Sequence, residues 1–246
     1  MENALLIGLS RQVALGRELD VIANNMANVT TNGFKARASR FREYLMPVAS
    51  AESFPRPDRK LSYVIDAGTP LDTSSGAIEY TGNPLDVAIK GDGFLAVQTP
   101  QGERYTRNGA LELNPQGQLV TSDGHAVLGD NGPITFTPQE SGIEIAPDGT
   151  VTSDQGQRGR IRLVSFENPQ LLRNEGTNLF SSPNVGQAAG ATSRLEPRAI
   201  ERSNVKPVIE MSRLIEVNRS YSSVAGMVGR MDELRRTAIS RLADNA

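Results

Sequence analysis

The chain has 246 residues and a formal net charge of -2, from 26 Lys and Arg against 28 Asp and Glu, with one histidine and no cysteine or tryptophan. A 38% hydrophobic fraction supports a folded core, and the near-neutral charge argues against a protein whose main partner is nucleic acid. Zero cysteines exclude disulfides, thiolate metal sites and cysteine nucleophiles, and a lone His125 cannot build a two-histidine zinc motif, so no cofactor, no metal and no enzymatic activity are expected.

The first residues hold an apolar run too short for a secretory signal core and lack preceding basic residues. No later stretch has the roughly 18 to 20 apolar residues of a membrane span. From Leu5 a 3,4 spacing runs through Gly8, Gln12, Leu15, Leu19, Ile22, Met26 and Val29, and six of these eight positions are large and apolar, Gly8 and Gln12 breaking the seam. This predicts a helix of about 25 residues with a narrow seam, ending in Asn24, Asn25 and Asn28 before Asn32-Gly33. Lys35, Arg37, Arg40 and Arg42 follow as a basic cluster, read either as solvated surface or as a subunit contact.

Residues 46–76 are rich in Pro, Ser and Thr and predict an extended linker. Between Gly82 and Gly159 a turn residue recurs every 7 to 10 positions, leaving room only for short strands. The segments 85–89, 94–99, 103–106, 119–121, 134–136, 143–145 and 161–166 suit strands, while Asp123-Gly124 and Asp148-Gly149 predict tight turns. Gly91-Asp92-Gly93 reads as a turn, and His125 as the end of a turn entering a strand. Residues 174–204, rich in Gly, Ser, Asn and Ala, read as an irregular return. A second seam then runs through Leu214, Val217, Tyr221, Val224, Val228, Met231, Arg235, Ala238 and Leu242, with Arg235 the polar exception. Its many arginines, Arg213 among them, have Glu210, Glu216, Asp232 and Glu233 as candidate partners. Neither helix can bury its seam alone.

The fold expected is mainly β with helical termini. An N-terminal coiled-coil helix (1–34) and an extended linker (35–80) precede an all-β barrel or sandwich (81–170). An irregular return (171–204) and a C-terminal coiled-coil helix (205–246) complete it.

Three ordered strings are more specific than these patterns. Ile22-Ala23-Asn24-Asn25-Met26-Ala27-Asn28-Val29-Thr30-Thr31-Asn32-Gly33-Phe34-Lys35 resembles the N-terminal signature of the bacterial flagellar basal-body rod and hook proteins. Asn83-Pro84-Leu85-Asp86-Val87-Ala88-Ile89-Lys90-Gly91-Asp92-Gly93-Phe94, followed by Tyr105-Thr106-Arg107-Asn108-Gly109, looks like the start of the same family's β-domain. Ser203-Asn204-Val205-Lys206-Pro207-Val208-Ile209-Glu210-Met211 through Arg219-Ser220-Tyr221 is similar to its C-terminal element, departing at Lys206 and Ser222.

The resemblance implies a structural subunit of the periplasmic rod, most like a proximal-rod component, with a distal-rod component as the near alternative. It implies paired termini in an inner coiled-coil layer with the β-domain outside. The implied partners are other rod proteins in a hetero-oligomeric helical tube, and a flagellar type III export apparatus in place of a cleavable signal. Subunit contacts are then expected at Leu5, Leu15, Leu19, Ile22, Met26, Leu214, Val217, Tyr221, Val224, Val228 and Met231, with polar contacts at Asn24, Asn25, Asn28 and Arg235. The competing class is a secreted oligomeric β-module that binds glycan or peptide, which would need an exposed aromatic platform.

Overall fold

The computed structural model describes residues 2–45, 62–66, 68–176, 178–184, 186–190 and 193–244. Residues 46–61 and 67 of the linker expected between the first helix and the β-domain lie outside them, as does the side chain of Leu242. The chain is mainly β with one helix at each end. It divides into two compact units: Met1–Met26, Arg37–Pro70 and Pro207–Ala246 form one, and Ala27–Ala36 with Leu71–Lys206 form the other.

The helical unit contains α1 (Glu2–Ala27), α2 (Pro207–Asp244) and an antiparallel hairpin of Phe41–Leu45 with Ser62–Asp66. Pro207 opens α2, where its missing N–H costs nothing and its fixed φ suits the first turn. Glu210 lies in the first turn and Arg241 in the last, each opposing the charge of the helix end. No described helix is long and apolar enough to cross a membrane.

Every strand pairing described in the β unit is antiparallel. Its largest sheet is ten-stranded and is built on Phe94–Thr99, which pairs with Gly102–Thr106, Ala126–Gly129 and Leu163–Ser165. A three-stranded sheet joins Glu144–Ile145, Thr150–Ser153 and Gly156–Arg160. Val87, Leu95, Val97, Leu111, Leu119, Val127 and Val151 head the larger apolar cluster, and Phe94, Tyr105 and Phe180 the smaller.

Strands 94–99 and 119–121 fall where the pattern places them. Segment 134–136 is not a regular strand. Pro133 and Pro138 flank it, yet Ile134 and Phe136 are buried and their backbone bonds to Val127, Gly117 and Leu119. The segment read as an irregular return carries five short strands. Two of them reach back across the sequence: Arg194–Pro197 pairs with Val87–Lys90, and Ala199–Glu201 with Ile78–Tyr80.

Both predicted turns form, and at the second Asp148 accepts the Thr150 N–H at 3.0 Å. His125 stands between the Asp123-Gly124 turn and strand Ala126–Gly129. The 150–160 hairpin is tied to the preceding loop by Glu140. Burial alone would raise the pKa of its carboxyl, but donation from the Thr137 N–H and hydroxyl, Ser153 Oγ and Arg158 outweighs this and holds it down to about 2. A folded pKa below the unfolded one makes this contribution complete above the ordinary glutamate range and lost as pH falls through about 2. A carbon-13 titration of the Glu140 carboxyl is therefore expected to show no midpoint near pH 4; one there would refute the network.

Candidate functional site

In the helical unit, Leu15, Ile22 and Val217 are buried together, with Leu19, Leu214, Tyr221 and Val224 packed around them. Leu5, Met26, Val228 and Met231 are half-buried, and Arg235 is exposed. The two non-apolar seam positions of α1 have physical reasons. A Cβ at Gly8 would stand 2.8 Å from Val228 Cγ2, so glycine lets α2 approach. Gln12 Nε2 donates to the Tyr221 hydroxyl at 3.3 Å. Arg213 donates through Nε and Nη2 to Glu18 Oε1 at 3.0 and 2.7 Å. Its partner is thus on α1 rather than among the acids of α2. Arg236 pairs with Asp232 one turn earlier on its own helix.

The asparagines differ among themselves. Asn25 is buried, and its amide accepts the Arg37 N–H at 3.0 Å and donates to the Arg37 carbonyl at 2.9 Å, so both ends are used inside the chain. Asn28 is buried and its Oδ1 accepts the Thr31 hydroxyl at 3.2 Å, while Asn24 is exposed.

The first signature string continues into the β unit, where it meets the other two. Gly33 has φ +69°, and a Cβ there would lie 2.4 Å from the Arg107 carbonyl carbon. Its N–H donates to the Glu201 carbonyl at 2.7 Å. Gly109 is equally constrained, because a Cβ would stand 1.7 Å from the Val87 carbonyl oxygen. Asn204 accepts the Ala36 N–H at 2.7 Å and donates to the carbonyls of Asp72 and Ser74.

At the centre, Glu201 accepts from Lys35 Nζ at 2.7 Å and faces Arg107 Nε at 3.1 Å. All three residues are 1% exposed. The Arg107 contact is close as an ion pair but out of line as a hydrogen bond, leaving Arg107 Nε and Glu201 Oε2 without one. Arg107 instead donates through Nη2 to the Gly91 carbonyl at 2.6 Å and sits 5.5 Å above the Phe94 ring. Lys35 Nζ also donates to the Ser74 carbonyl at 2.6 Å. Burial, then the neighbouring Arg107, lower the Lys35 pKa against the opposing pull of Glu201. Lys35 therefore belongs to a core ion cluster, not to a surface patch with Arg37, Arg40 and Arg42. Sequence reasoning missed this cluster. Glu201 lies just outside the third string, and nothing local links it to residue 35.

It also missed a second apolar stripe on each helix. Leu6, Leu9 and Val13 on α1 are exposed, as are Val208, Met211 and Ile215 on α2. The signal was present, since both triplets repeat at the 3,4 spacing of the seams. Among the described side chains the one largely exposed aromatic is Tyr80, whose hydroxyl donates to Glu196, so no aromatic platform forms there.

Comparison with known proteins follows the three strings. The family model "Flagella basal body rod protein" matches residues 5–35, "Flagellar hook protein FlgE/F/G D1 domain" matches 88–153, and "Flagellar basal body rod FlgEFG protein C-terminal" matches 196–241. The chain is 39% identical to the flagellar basal-body rod protein FlgF of Caulobacter vibrioides over 98% of both chains. It is 34% identical to FlgF of Salmonella typhimurium over 95% of both. It is 33% identical to FlgG of Bacillus subtilis over 95% of this chain and 97% of that one. The packed helix seams, the junction where the signatures converge and the full-length similarity agree: the chain belongs to the flagellar basal-body rod protein family.

Proposed function

We propose that the chain is a structural subunit of the proximal rod, FlgF-like, that assembles with other rod proteins and transmits torque through the periplasm. The observation that carries this reading is the pair of exposed apolar stripes. The seam is satisfied inside the chain, yet each helix keeps an apolar face suited to a neighbouring subunit. The helix pair is the unit of a coiled-coil inner layer, and the β unit forms the outer one. Stiffness then comes from many pairs packed side by side. The seam positions named above, with Asn24, Asn25, Asn28 and Arg235, flank the contacts between subunits. Export is by the flagellar type III apparatus, without a cleaved signal.

Isolated basal bodies are expected to contain the chain at the membrane-proximal end of the rod, next to the FlgG segment. Finding it in the hook, or absent from basal bodies, would overturn the reading. The similarity to FlgG favours a distal-rod position as the second reading, and the same experiment separates the two.

A further inference from the structure

We infer that the side-by-side segments 33–36 and 201–204 form a mechanical clamp, which carries tension between the two terminal helices and keeps it out of the β sheets. The inference rests on the torque-transmitting reading and adds to it the element that takes the load.

The two segments run in the same direction. The Gly33 N–H donates to the Glu201 carbonyl at 2.7 Å and, further along, the Asn204 N–H donates to the Phe34 carbonyl at 3.3 Å. Side chains add bonds across the pair. Lys35 Nζ donates to Glu201 Oε1 at 2.7 Å, the Ala36 N–H to Asn204 Oδ1 at 2.7 Å, and Arg202 Nη1 to Asn32 Oδ1 at 3.1 Å. In the chain, α1 precedes the start of one segment and α2 follows the end of the other. Tension between the helices therefore draws one segment back along its neighbour. The bonds between them meet that pull in shear, so they must fail together. The helix pair meets the same pull in the opposite way. With Gln12 on Tyr221 and Glu18 on Arg213 it is antiparallel, so its loaded ends are neighbours and it opens turn by turn.

The clamp is also dry and braced. Phe34, Lys35 and Glu201 are at most 2% exposed, so water cannot replace a bond as it stretches. On its other side the 201–204 segment is held by residues 72–77. The Arg202 N–H donates to the Ala77 carbonyl at 2.8 Å, and Asn204 Nδ2 to the carbonyls of Asp72 and Ser74 at 3.0 and 3.1 Å. A Cβ at Gly76 would stand 1.9 Å from the Arg202 carbonyl oxygen, so glycine permits this close approach.

Native cysteine is absent, so thiol-linked handles report only from where they are placed. In single-molecule pulling of the full-length Thr30→Cys/Lys206→Cys chain, the handles flank the clamp. Adding Asn204→Ala is expected to lower its unfolding force by roughly a third, because a bond across the clamp and the braces to 72–74 are lost together. Lys35→Met, which removes a different bond across the pair, should have a similar effect. With handles at Gln116→Cys/Glu167→Cys the pull bypasses the clamp, and neither change should move the force. A merely stabilising contact would lower the force in both geometries alike. That result, or an unchanged force between positions 30 and 206 in either variant, would overturn the inference. The rod reading is judged separately, by whether the unmodified chain is found in isolated basal bodies.

Discussion

Replacing Glu201 with alanine is expected to destabilise the β unit by about 3–5 kcal/mol, the usual cost of leaving buried charge uncompensated. Glu201 is the carboxylate that faces both Lys35 and Arg107, and its Oε1 also accepts the Gly76 N–H at 2.8 Å. Its removal strands two cations in a site from which water is excluded. Lys35→Met should cost less, because one carboxylate and one guanidinium remain and only the Lys35 bonds to Glu201 and Ser74 are lost. Urea unfolding followed by tyrosine fluorescence measures both. Equal midpoint shifts for the two variants would refute a cluster organised around Glu201. The sign with pH gives a second check. With a folded lysine pKa below the unfolded one, the unfolded chain binds more protons between the two values, so stability rises with pH there. That alkaline gain should be missing from Lys35→Met.

The second large effect is expected at Ile22, which is 1% exposed and clusters with Leu15 and Val217. Ile22→Asp removes a core side chain and introduces a carboxylate one turn after Glu18, with no cation within four residues on α1 to neutralise it. A penalty of about 3–5 kcal/mol follows from truncation and charge burial. A seam of three buried side chains cannot absorb that, so the helices separate. The β-unit clusters contain no residue of the seam and stay folded. Circular dichroism should show lost helix over an unchanged protease-resistant β fragment, and cells carrying only the variant should be non-motile and lack hooks. Normal swimming would sink the role given to the seam.

What could be read in the sequence was what is written locally. The seams stand out because a helix repeats its buried face at a period its own residues carry, and Leu15, Ile22 and Val217 are buried as that period requires. Asp148-Gly149 was legible because an Asp side chain and a glycine with φ +90° make a turn without outside help. The strands at 194–197 and 199–201 were not. They are short, and one ends in proline, so they exist because strands more than a hundred residues earlier offer hydrogen bonds. Gln12 looked like a break in the seam and is instead a donor to Tyr221.

By itself the sequence determined the class of the protein: two amphipathic helices around a turn-rich β region, with three strings that mark the rod family. Periodicity and turn chemistry act over a few residues, so they survive in a linear reading. Only the tertiary structure decided what the marked residues do. Lys35 becomes a core cation because Glu201, 166 positions away, is brought to 2.7 Å, and Leu6, Leu9 and Val13 become a free surface because Val217 and Tyr221 cover the other side of α1. Burial depends on which distant segment arrives, and the local pattern does not contain that information.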